Sequence, residues 1–316
     1  MENVITIIIL TFNEEANLPG LLTSLKGIHA NIFVVDSYST DKTLSILEEN
    51  NITYVQHPFE NYSHQRNWAQ DNNPFKSSWV LHLDAGERLT KEFVEWVQKS
   101  FDPNDSVDGY IFSRRTMIFG KEIKYGGQYP QYHLRLFKPE KGRCEDKMYD
   151  QHFYIKGNTK VIKNRVDIID TVMENWQTFI VGHARWAVFE AMQQIVSETK
   201  LTQEKKGVVV AKFFGSPIEQ KRWLKNNIFQ KTPLFLRAIL FFIYSYFLKF
   251  GFLDGKTGLA FHFIQKLWFR FQVDAVILEL KTKMKTQHVS LDEIICNEYP
   301  ENYQVLLFKL KQLNDC

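Results

Sequence analysis

Residues 4–84 alternate between short apolar runs and stretches in which apolar residues recur every three or four positions. The first apolar run is Val4–Leu10, and later runs end at Asp36, Gln56 and Asp84. Short runs rich in β-branched residues are typical of parallel strands covered on both faces, and the periodic stretches between them predict helices. The resulting order of strand, helix, strand, helix, strand, helix, strand predicts a doubly wound α/β sheet.

The pattern changes after Val107. Short strands separated by turns are predicted at Gly109–Ser113, Tyr132–Phe137 and His152–Lys156, and a largely helical segment is predicted from Trp176 to about residue 205. We interpret the strand region as a mixed region on the edge of the sheet. Earlier in the chain, Ser63 is predicted to cap the helix that carries Arg66.

Acidic side chains follow two of the predicted strands at their carboxyl ends. Asp36 ends the second strand, Asp84 ends the fourth, and Glu87 follows three positions later. Ligands of open α/β sheets bind beyond the carboxyl ends of the strands, and carboxylates suit a divalent metal that holds a phosphate. Asp36 is expected to accept hydrogen bonds from a ribose or a base. The alternative for Asp84 and Glu87 is a polar turn that leads into the next helix.

Composition and motifs exclude several classes of protein. The chain of 316 residues has a net charge of +3 and no long basic run, so nucleic acid is not an expected partner. Its three cysteines are widely spaced, and no signal-peptide pattern precedes the first strand, which together favour a reducing cytoplasmic setting. Neither a G-x-G-x-x-G fingerprint nor a P-loop is present, so acids and a metal remain as the predicted means of holding a nucleotide.

Four motifs resemble glycosyltransferase family 2, whose members have the GT-A nucleotide-sugar fold. They are Thr11-Phe12-Asn13-Glu14-Glu15, Val35-Asp36-Ser37, Gln65-Arg66-Asn67 and Leu83-Asp84-Ala85-Gly86-Glu87. The resemblance runs in order and spacing over about residues 4–275, and later segments resemble the branch that includes bacterial lipopolysaccharide-core β-glucosyltransferases. It implies an α/β fold of the GT-A type, with a doubly wound mixed sheet and a helical, aromatic-rich C-terminal extension.

The resemblance also implies roles for individual residues. The nucleotide-binding candidates are Thr11, Asn13, Glu14, Asp36, Ser37, Arg66 and Asp84. Asp84 corresponds to the first aspartate of the D-x-D metal motif, and Gly86 stands where the second is expected. Glu87, another acid or a water then completes the shell of a Mg²⁺ or Mn²⁺ ion, or the metal is held weakly. His183 is offered as a third ligand, although a lone histidine in a helical segment is more often a packing residue.

Inverting transfer needs a base that takes the proton of the acceptor hydroxyl, which a carboxylate or histidine can do. The candidates by chemistry are Glu145, Asp146, Asp150 and His152. Asp150 best matches an acid that, in the branch named above, precedes a small strand and a glycine; Asp146 is the second choice, and a structural role for both is the alternative. Arg135 and His152 are candidates for contact with the acceptor or a phosphate, and a structural ion pair is the alternative for Arg135.

The C-terminal third is apolar, aromatic and basic. Residues 234–248 are too short a run to span a bilayer and are interrupted by Arg237, so with the neighbouring lysines and aromatic rings they resemble an interfacial element. Buried helices that pack on the catalytic domain, or a dimer interface, are the alternatives. The predicted division is a transferase domain at 1–210, an amphipathic membrane-associating or packing region at 211–285 and a peripheral tail at 286–316.

The sequence thus predicts an inverting, metal-dependent glycosyltransferase of the inner face of the cytoplasmic membrane. Its donor is a nucleotide-sugar, with a UDP-sugar favoured, and its acceptor is a lipid-linked or cell-envelope glycan, as in lipopolysaccharide biosynthesis; an oligomer is possible. A nucleotidyltransferase is disfavoured because residues 11–20 contain one glycine and no lysine. The other alternative, motivated by Gly86, is a catalytically impaired, membrane-associated nucleotide-binding or scaffold protein.

Overall fold

The structure is a computed structural model that describes residues 4–147, 149–173, 175–199 and 208–300. The chain divides into two compact units. The first comprises the residues up to Lys124, Gln128–Glu145 and His152–Val172, and the second comprises Tyr125–Gly127, Asp146–Gln151 and the residues from Met173 onwards. The sequence-based boundaries after residues 210 and 285 stay predictions, and residues 301–316 of the predicted tail lie outside the described part.

The first unit begins with the predicted alternation of strands and helices. Its parallel strands are β1 (Ile5–Thr11), β2 (Asn31–Asp36), β3 (Thr53–Gln56) and β4 (Trp79–Asp84), and the helices between them are α1 (Leu18–Ser24), α2 (Thr43–Glu49) and α3 (Tyr62–Asp71). Ile7, Ile9 and Leu81 are almost fully buried between helices and sheet, as the apolar runs predict. The predicted cap of α3 is wrong by two residues: the side chain of Asn61 accepts the backbone N–H of His64, whereas Ser63 lies inside the first turn.

The remaining strands make the sheet mixed, as predicted. They are β5 (Glu87–Leu89), β6 (Gly109–Ile118), β7 (Lys121–Ile123), β8 (Gln131–Phe137), β11 (Thr159–Val161) and β12 (Asp167–Met173), with helix α4 (Lys91–Lys99) after β5. The strand order is β3-β2-β1-β4-β8-β6-β12-β5, in which β8 runs antiparallel to β4. A separate antiparallel pair is formed by β9 (Gly142–Cys144) and β10 (Phe153–Ile155). This mixed sheet with helices on its faces is the GT-A type of α/β fold.

One short strand differs from the sequence-based interpretation and bears on the site. A polar turn was the alternative considered for the residues after Asp84, and no strand was predicted there, but Glu87–Leu89 forms β5, which pairs antiparallel with β12 so that Glu87 lies opposite Asp170. Sequence periodicity cannot identify a three-residue strand whose partner lies about eighty positions further along the chain.

The second unit is helical in the part of the chain that the structure describes. Its helices are α5 (Trp176–Thr199), α6 (Pro217–Leu224), α7 (Leu236–Ile243), α8 (Gly255–His262), α9 (Phe269–Gln287) and α10 (Leu291–Glu298). Wider π-helical turns continue α6 over Lys225–Phe229 and α7 over Tyr244–Leu248, and another, Phe263–Trp268, joins α8 to α9. The core of this unit forms where Ala187 and Met192 of α5 pack with Phe269 and Ile277 of α9.

Candidate functional site

The carboxyl ends of three central strands meet at one edge of the sheet. Thr11 at the end of β1 lies beside Asp36 at the end of β2, and Leu10 lies beside Asp84 at the end of β4. The expectation that both acids reach the same edge is therefore confirmed by the strand register. Ligands of open α/β sheets bind at this edge, so the site is built from here.

Asp36 is buried and its carboxylate is satisfied by the protein itself. Oδ1 accepts the hydroxyl protons of Thr11, at 2.9 Å, and of Ser39, while Oδ2 accepts the Ser39 backbone N–H at 2.9 Å and the Gln56 amide at 3.1 Å. A carboxylate with four such bonds fixes the loops after β1 and β2 to each other. Contact between Asp36 and a base stays a prediction.

Further bonds connect the two loops. The Asn13 backbone N–H donates to the Ser39 hydroxyl at 2.8 Å, and its side-chain oxygen accepts the Thr40 N–H at 2.8 Å. The Glu14 backbone N–H donates to the Thr43 hydroxyl at 2.8 Å, and the Ser37 hydroxyl accepts the Gln65 amide at 3.2 Å. The predicted nucleotide-binding residues Asn13, Glu14 and Ser37 are therefore brought together in one pre-organised pair of loops.

Each loop also exposes an aromatic ring that the sequence reasoning did not single out. Phe12 is 58% exposed and Tyr38 is 53% exposed. Tyr38 has φ +62°, in the left-handed region that bulky residues rarely adopt, whereas Asn13, with φ +56°, is of a residue type that adopts this region more readily. Such strain persists only where the surroundings enforce it, and it is concentrated at ligand sites.

Asp84 is the accessible carboxylate at the end of β4. Its side chain is 41% exposed and lies between two guanidinium groups, 2.6 Å from Arg66 Nη2 and 3.4 Å from Arg135 Nη2. The surrounding protein atoms disfavour the charged form, but the two arginines outweigh them and lower the pKa of Asp84 well below its usual value. Asp84 is therefore ionised throughout the physiological pH range.

Glu87 has a different environment, although it lies only three residues away. Strand β5 turns its side chain inward, where Oε2 accepts the Asp84 backbone N–H at 2.9 Å and Oε1 accepts Arg135 Nη2 at 2.6 Å. Burial raises its pKa to about 7; Arg135 opposes this shift, and the carboxylates of Asp84 and Asp170 add to it. These two contacts hold Asp84 and Arg135 in position. The role of Glu87 as a metal ligand stays a prediction.

Two further residues complete the charged cluster and were missed by the sequence reasoning. Asp170 on β12 lies opposite Glu87, and Arg114 Nη1 is 3.0 Å from its carboxylate. Burial raises the pKa of Asp170, and the nearby Arg114 counteracts it. The only signal in the sequence was an acid inside the apolar stretch of residues 167–173 and an arginine inside residues 109–118, a signal that points equally to an internal ion pair.

The family resemblance implies a divalent metal, and one carboxylate of the site fits that role. Asp84 is exposed and ionised, and Mg²⁺ is often held by one or two carboxylates together with substrate phosphates and waters. No group of three metal-ligating side chains occurs among the described residues. At Gly86 there is room for a side chain, because an added Cβ would meet only the Thr171 carbonyl oxygen, at 3.8 Å.

The residues assigned to the acceptor side also lie in the first unit. Arg135 is 4% exposed and held by Glu87 and Asp84, so the structural ion pair considered for it is present, and its contact with a phosphate stays a prediction. His152 donates its backbone N–H to Glu145 Oε2 at 3.0 Å, and its ring stacks parallel to that of His133. Glu145 is fully buried by this contact, which makes it a poor candidate for the base.

The predicted base lies in a charged group of the second unit. Asp150 has φ +56°, and its carboxylate, 37% exposed, is 2.9 Å from Lys225 Nζ. The same ammonium lies 3.1 Å from the buried Glu190, which Arg270 contacts at 2.7 Å. Burial disfavours the charge on Lys225, but the carboxylates of Asp150 and Glu190 outweigh it and raise its pKa. Asp146, the second choice, is half-buried.

His183 is packed inside the second unit. Its Nδ1 lies 2.8 Å from the Phe179 carbonyl oxygen, and its ring contacts those of Phe179, Trp186 and Phe269. Burial lowers its pKa, so the ring is neutral near pH 7. These are the contacts of a packing residue, and its role as a metal ligand stays a prediction.

Comparisons with known proteins agree with this geometry. The family model described as glycosyl transferase family 2 matches residues 6–162. A protein of Rickettsia conorii named as an uncharacterized glycosyltransferase is 25% identical over 94% of this chain and 95% of its own length. A second uncharacterized glycosyltransferase, from Rickettsia bellii, is 36% identical over 34% of this chain and 35% of its own length.

Two solved structures are similar at low identity. S. aureus TarS in complex with UDP-GlcNAc is 14% identical, with 88% of this chain and 91% of that chain covered and a TM-score of 0.42. Glucosyl-3-phosphoglycerate synthase of Mycobacterium tuberculosis, in complex with Mn²⁺, UDP and phosphoglyceric acid, is 16% identical, with 37% and 44% covered and a TM-score of 0.29. The domain at residues 6–162, which the family model matches, places this chain in glycosyltransferase family 2.

Proposed function

We propose that this family 2 glycosyltransferase moves a sugar from a UDP-sugar to a lipid-linked or cell-envelope glycan, with inversion at the anomeric carbon. The observation that carries the proposal is the exposed, ionised Asp84 between Arg66 and Arg135 at the carboxyl edge of the sheet. A lone exposed carboxylate at this position would repel the diphosphate of a donor. A carboxylate that binds a metal cation and lies beside two guanidinium groups gives a net positive site that attracts the diphosphate.

The donor is held by the first unit in this proposal. The loops after β1 and β2 present Phe12 and Tyr38 as apolar surfaces for the base, and Thr11, Asn13, Glu14 and Ser37 fix the shape of the two loops. Arg66, held 5.4 Å above the ring of Phe153, keeps a positive charge at the rim for the phosphates. Asp84 would hold Mg²⁺ or Mn²⁺, which would supply positive charge against the negative charge of the departing diphosphate.

Asp150 is the proposed base, with Asp146 as the second choice. The acceptor hydroxyl loses its proton to the carboxylate as its oxygen bonds to the anomeric carbon, and the bond from that carbon to the UDP oxygen breaks at the same time. The proton ends on the carboxylate and the electron pair leaves with UDP. A single displacement of this kind converts an α-linked donor into a β-linked product. Lys225 holds the Asp150 side chain in place before the acceptor binds.

The family branch and the composition of the second unit support the proposed acceptor. In that branch the acceptors are lipopolysaccharide-core glycans, which are assembled at the inner face of the cytoplasmic membrane, and we place this chain there as a peripheral protein. Arg135 and His152 are the proposed contacts on the acceptor side. Arg135 would act on a phosphate through the charge it adds beside Asp84, because its own side chain is buried.

Donor hydrolysis tests the proposal without knowledge of the acceptor. Release of nucleoside diphosphate from UDP-, GDP- and dTDP-sugars is measured with Mg²⁺ or Mn²⁺, and UDP release should dominate and require the metal. Asp84→Asn should reduce it by more than the roughly 10–100-fold that the loss of an outer-shell partner of a metal costs, because Asp84 is the proposed ligand itself. The matched control is Asp71→Asn, which removes an exposed aspartate that is also paired with an arginine.

Gly86 and the internal contacts of Glu87 favour one alternative, which is a protein that binds nucleotide without turnover. Calorimetry with UDP and Mn²⁺ separates the two functions. Binding with no hydrolysis of any donor, and no transfer when Asp150 and Asp146 are intact, would establish the alternative. Turnover that survives both Asp150→Asn and Asp146→Asn would leave the transferase standing but remove both proposed bases.

A further inference from the structure

Helix α7 and its π-helical continuation expose an apolar stripe to solvent. The exposed positions recur at the spacing of one helical face, and each side chain is between 42% and 66% exposed; they are Leu236, Ile239, Leu240, Ile243, Tyr244, Phe247 and Leu248. In a surface helix of a water-soluble protein, such an apolar stripe normally faces the core. In α7 and its continuation the stripe faces solvent instead.

The opposite side of the same helix is buried and polar or small. Ala238 and Ser245 are fully covered, and the guanidinium of Arg237, 3% exposed, donates to Asp274 Oδ1 and to Gln194 Oε1. Asp274, on α9, also accepts the Phe235 backbone N–H at 2.6 Å. This buried ion pair fixes which side of α7 faces inward, so the outward direction of the stripe is built into the packing. Arg237, which interrupts the apolar run in the sequence, is therefore the residue that fixes the orientation of α7.

The segment after α7 extends the exposed apolar surface. It adds five large side chains that are 43–56% exposed, namely Phe250, Phe252, Leu253, Leu259 and Phe263. We call these five and the seven of the stripe the aromatic face. No single helix among the described residues is long and apolar enough to cross a membrane. The helices on either side of residues 249–250 do pass that test as a pair, but with a bend of 70° between them.

Charge distinguishes the possible partners of the aromatic face. Between Glu219 and Asp274 the sequence contains nine lysines and arginines and a single acid, Asp254, which is 4% exposed. Lys231, Lys249 and Lys256 are exposed within this segment. Because a symmetric dimer brings the same patch of both subunits together, a second copy would oppose these cations to one another. A partner with anionic groups at its surface and an apolar interior matches both the exposed lysines and the apolar side chains of the aromatic face.

We infer that the aromatic face docks onto an anionic lipid surface, with α7 lying along the membrane interface, its apolar side chains among the acyl chains and the exposed lysines at the headgroups. A bent pair of helices fits this arrangement because an interfacial element needs a wide apolar face rather than a long apolar run. The inference rests on the proposed function, because it names the surface by which the chain would reach an acceptor at the membrane. Its test measures lipid binding alone.

The test is co-sedimentation of the full chain with vesicles of neutral phosphatidylcholine, with and without anionic phosphatidylglycerol. We expect binding to the anionic vesicles. Leu240→Glu and Phe247→Glu should each weaken it at least about tenfold, since each removes a large apolar group from the acyl region and adds a negative charge. The matched control is Leu278→Glu on α9, which changes a side chain that is 50% exposed but lies outside the aromatic face.

Replacing Lys231, Lys249 and Lys256 together with glutamine should lower affinity for the anionic vesicles about a hundredfold, at about fivefold for each lysine near the surface. Thermal unfolding of every variant checks that the fold persists, which the exposure of the replaced side chains favours. Wild-type binding that is absent, or that is equal in Leu240→Glu and Leu278→Glu, overturns the inference. So does a concentration-dependent dimer without lipid that Leu240→Glu dissolves.

UDP binding to the same samples keeps this result separate from the proposed function. If the protein binds UDP but not vesicles, only the proposed docking surface is refuted. If it binds vesicles through the aromatic face but neither binds nor hydrolyses a UDP-sugar, the docking surface stands and the proposed transferase reaction is refuted.

Discussion

Replacing Glu87 with glutamine should change how the stability of the protein depends on pH. Glu87 is 1% exposed, and burial together with the neighbouring carboxylates raises its pKa from 4.5 to about 7. The folded protein therefore binds this proton more tightly than the unfolded chain does. A group with a raised folded pKa adds stability below its unfolded pKa, and that stability is lost as the pH rises through the folded pKa.

The size of the effect follows from the two pKa values. At about 1.4 kcal/mol per pH unit, the interval between 4.5 and about 7 corresponds to about 3 kcal/mol of unfolding free energy that wild type loses across this window. Glutamine does not titrate, yet its side-chain oxygen can still accept the Arg135 guanidinium. Relative to wild type, Glu87→Gln should therefore be about 3 kcal/mol more favourable near pH 8 than near pH 4.5.

Urea unfolding at several values between about pH 4.5 and about pH 8 measures this difference. The control is Glu95→Gln, which makes the same change at an exposed glutamate on α4. Parallel curves for wild type and Glu87→Gln would mean that Glu87 is ionised over the whole range and would refute the reasoning. Calorimetry with Mn²⁺ and UDP on the same variant then tests whether Glu87 binds the metal. If Glu87 only supports Asp84 and Arg135, Glu87→Gln changes the stability and not the affinity for Mn²⁺; if Glu87 is a ligand, the affinity for Mn²⁺ falls.

Three further predictions concern Gly86, the ion pair of Arg237 with Asp274, and Lys225. Gly86→Asp, for which the structure has room, should tighten binding of Mn²⁺ in the presence of UDP about tenfold by adding a carboxylate ligand, while Gly86→Asn should not; equal calorimetric affinities for the two would contradict this. Asp274→Ala leaves the buried Arg237 without its partner and should lower the free energy of unfolding by about 3–5 kcal/mol. The double replacement Arg237→Met with Asp274→Leu should recover most of that loss in urea unfolding, and purely additive losses would contradict it. Lys225→Met removes the cation beside Asp150 and should move the acidic limb of the pH–rate profile up by about one pH unit, because a carboxylate without a neighbouring cation ionises less readily; Lys225→Arg should not move it, and an unchanged profile in Lys225→Met would remove Asp150 as the base.

The order of strands and helices in the first unit was predictable because each is encoded locally. Val4–Leu10, the run before Asp36 and the run before Asp84 are apolar enough to identify buried strands without knowledge of their neighbours. The alternation with helices then fixes parallel pairing and brings the strand ends to one edge. The sequence could therefore place Asp36 and Asp84 at the same edge of the sheet, as the register confirms.

The partners of those acids were not predictable, because they come from distant parts of the chain. Asp36 is satisfied by Thr11 and Gln56, and Asp84 is held by Arg135, which is 51 positions away. Whether an acid at a strand end is open to a ligand or closed by the protein depends on these contacts. Arg237 is a similar case, since its burial depends on Asp274, 37 positions along the chain.

The contrast between Asp84 and Glu87 shows what the three-dimensional structure adds to the motif. In the sequence they are two acids three residues apart and are equally suited to a metal. The pairing of β5 with β12 makes them unequal, because it buries Glu87 opposite Asp170 and leaves Asp84 41% exposed at the edge of the sheet. Asp84→Asn should therefore weaken binding of Mn²⁺ and UDP, and it should reduce but not abolish the pH dependence of stability between about pH 5 and about pH 8, because the Asp84 charge is only one of the causes that raise the pKa of Glu87. Glu87→Gln should abolish the Glu87 part of that pH dependence and leave the binding of Mn²⁺ and UDP largely intact, and a pair of variants that lost binding to the same extent would mean that both carboxylates hold the metal.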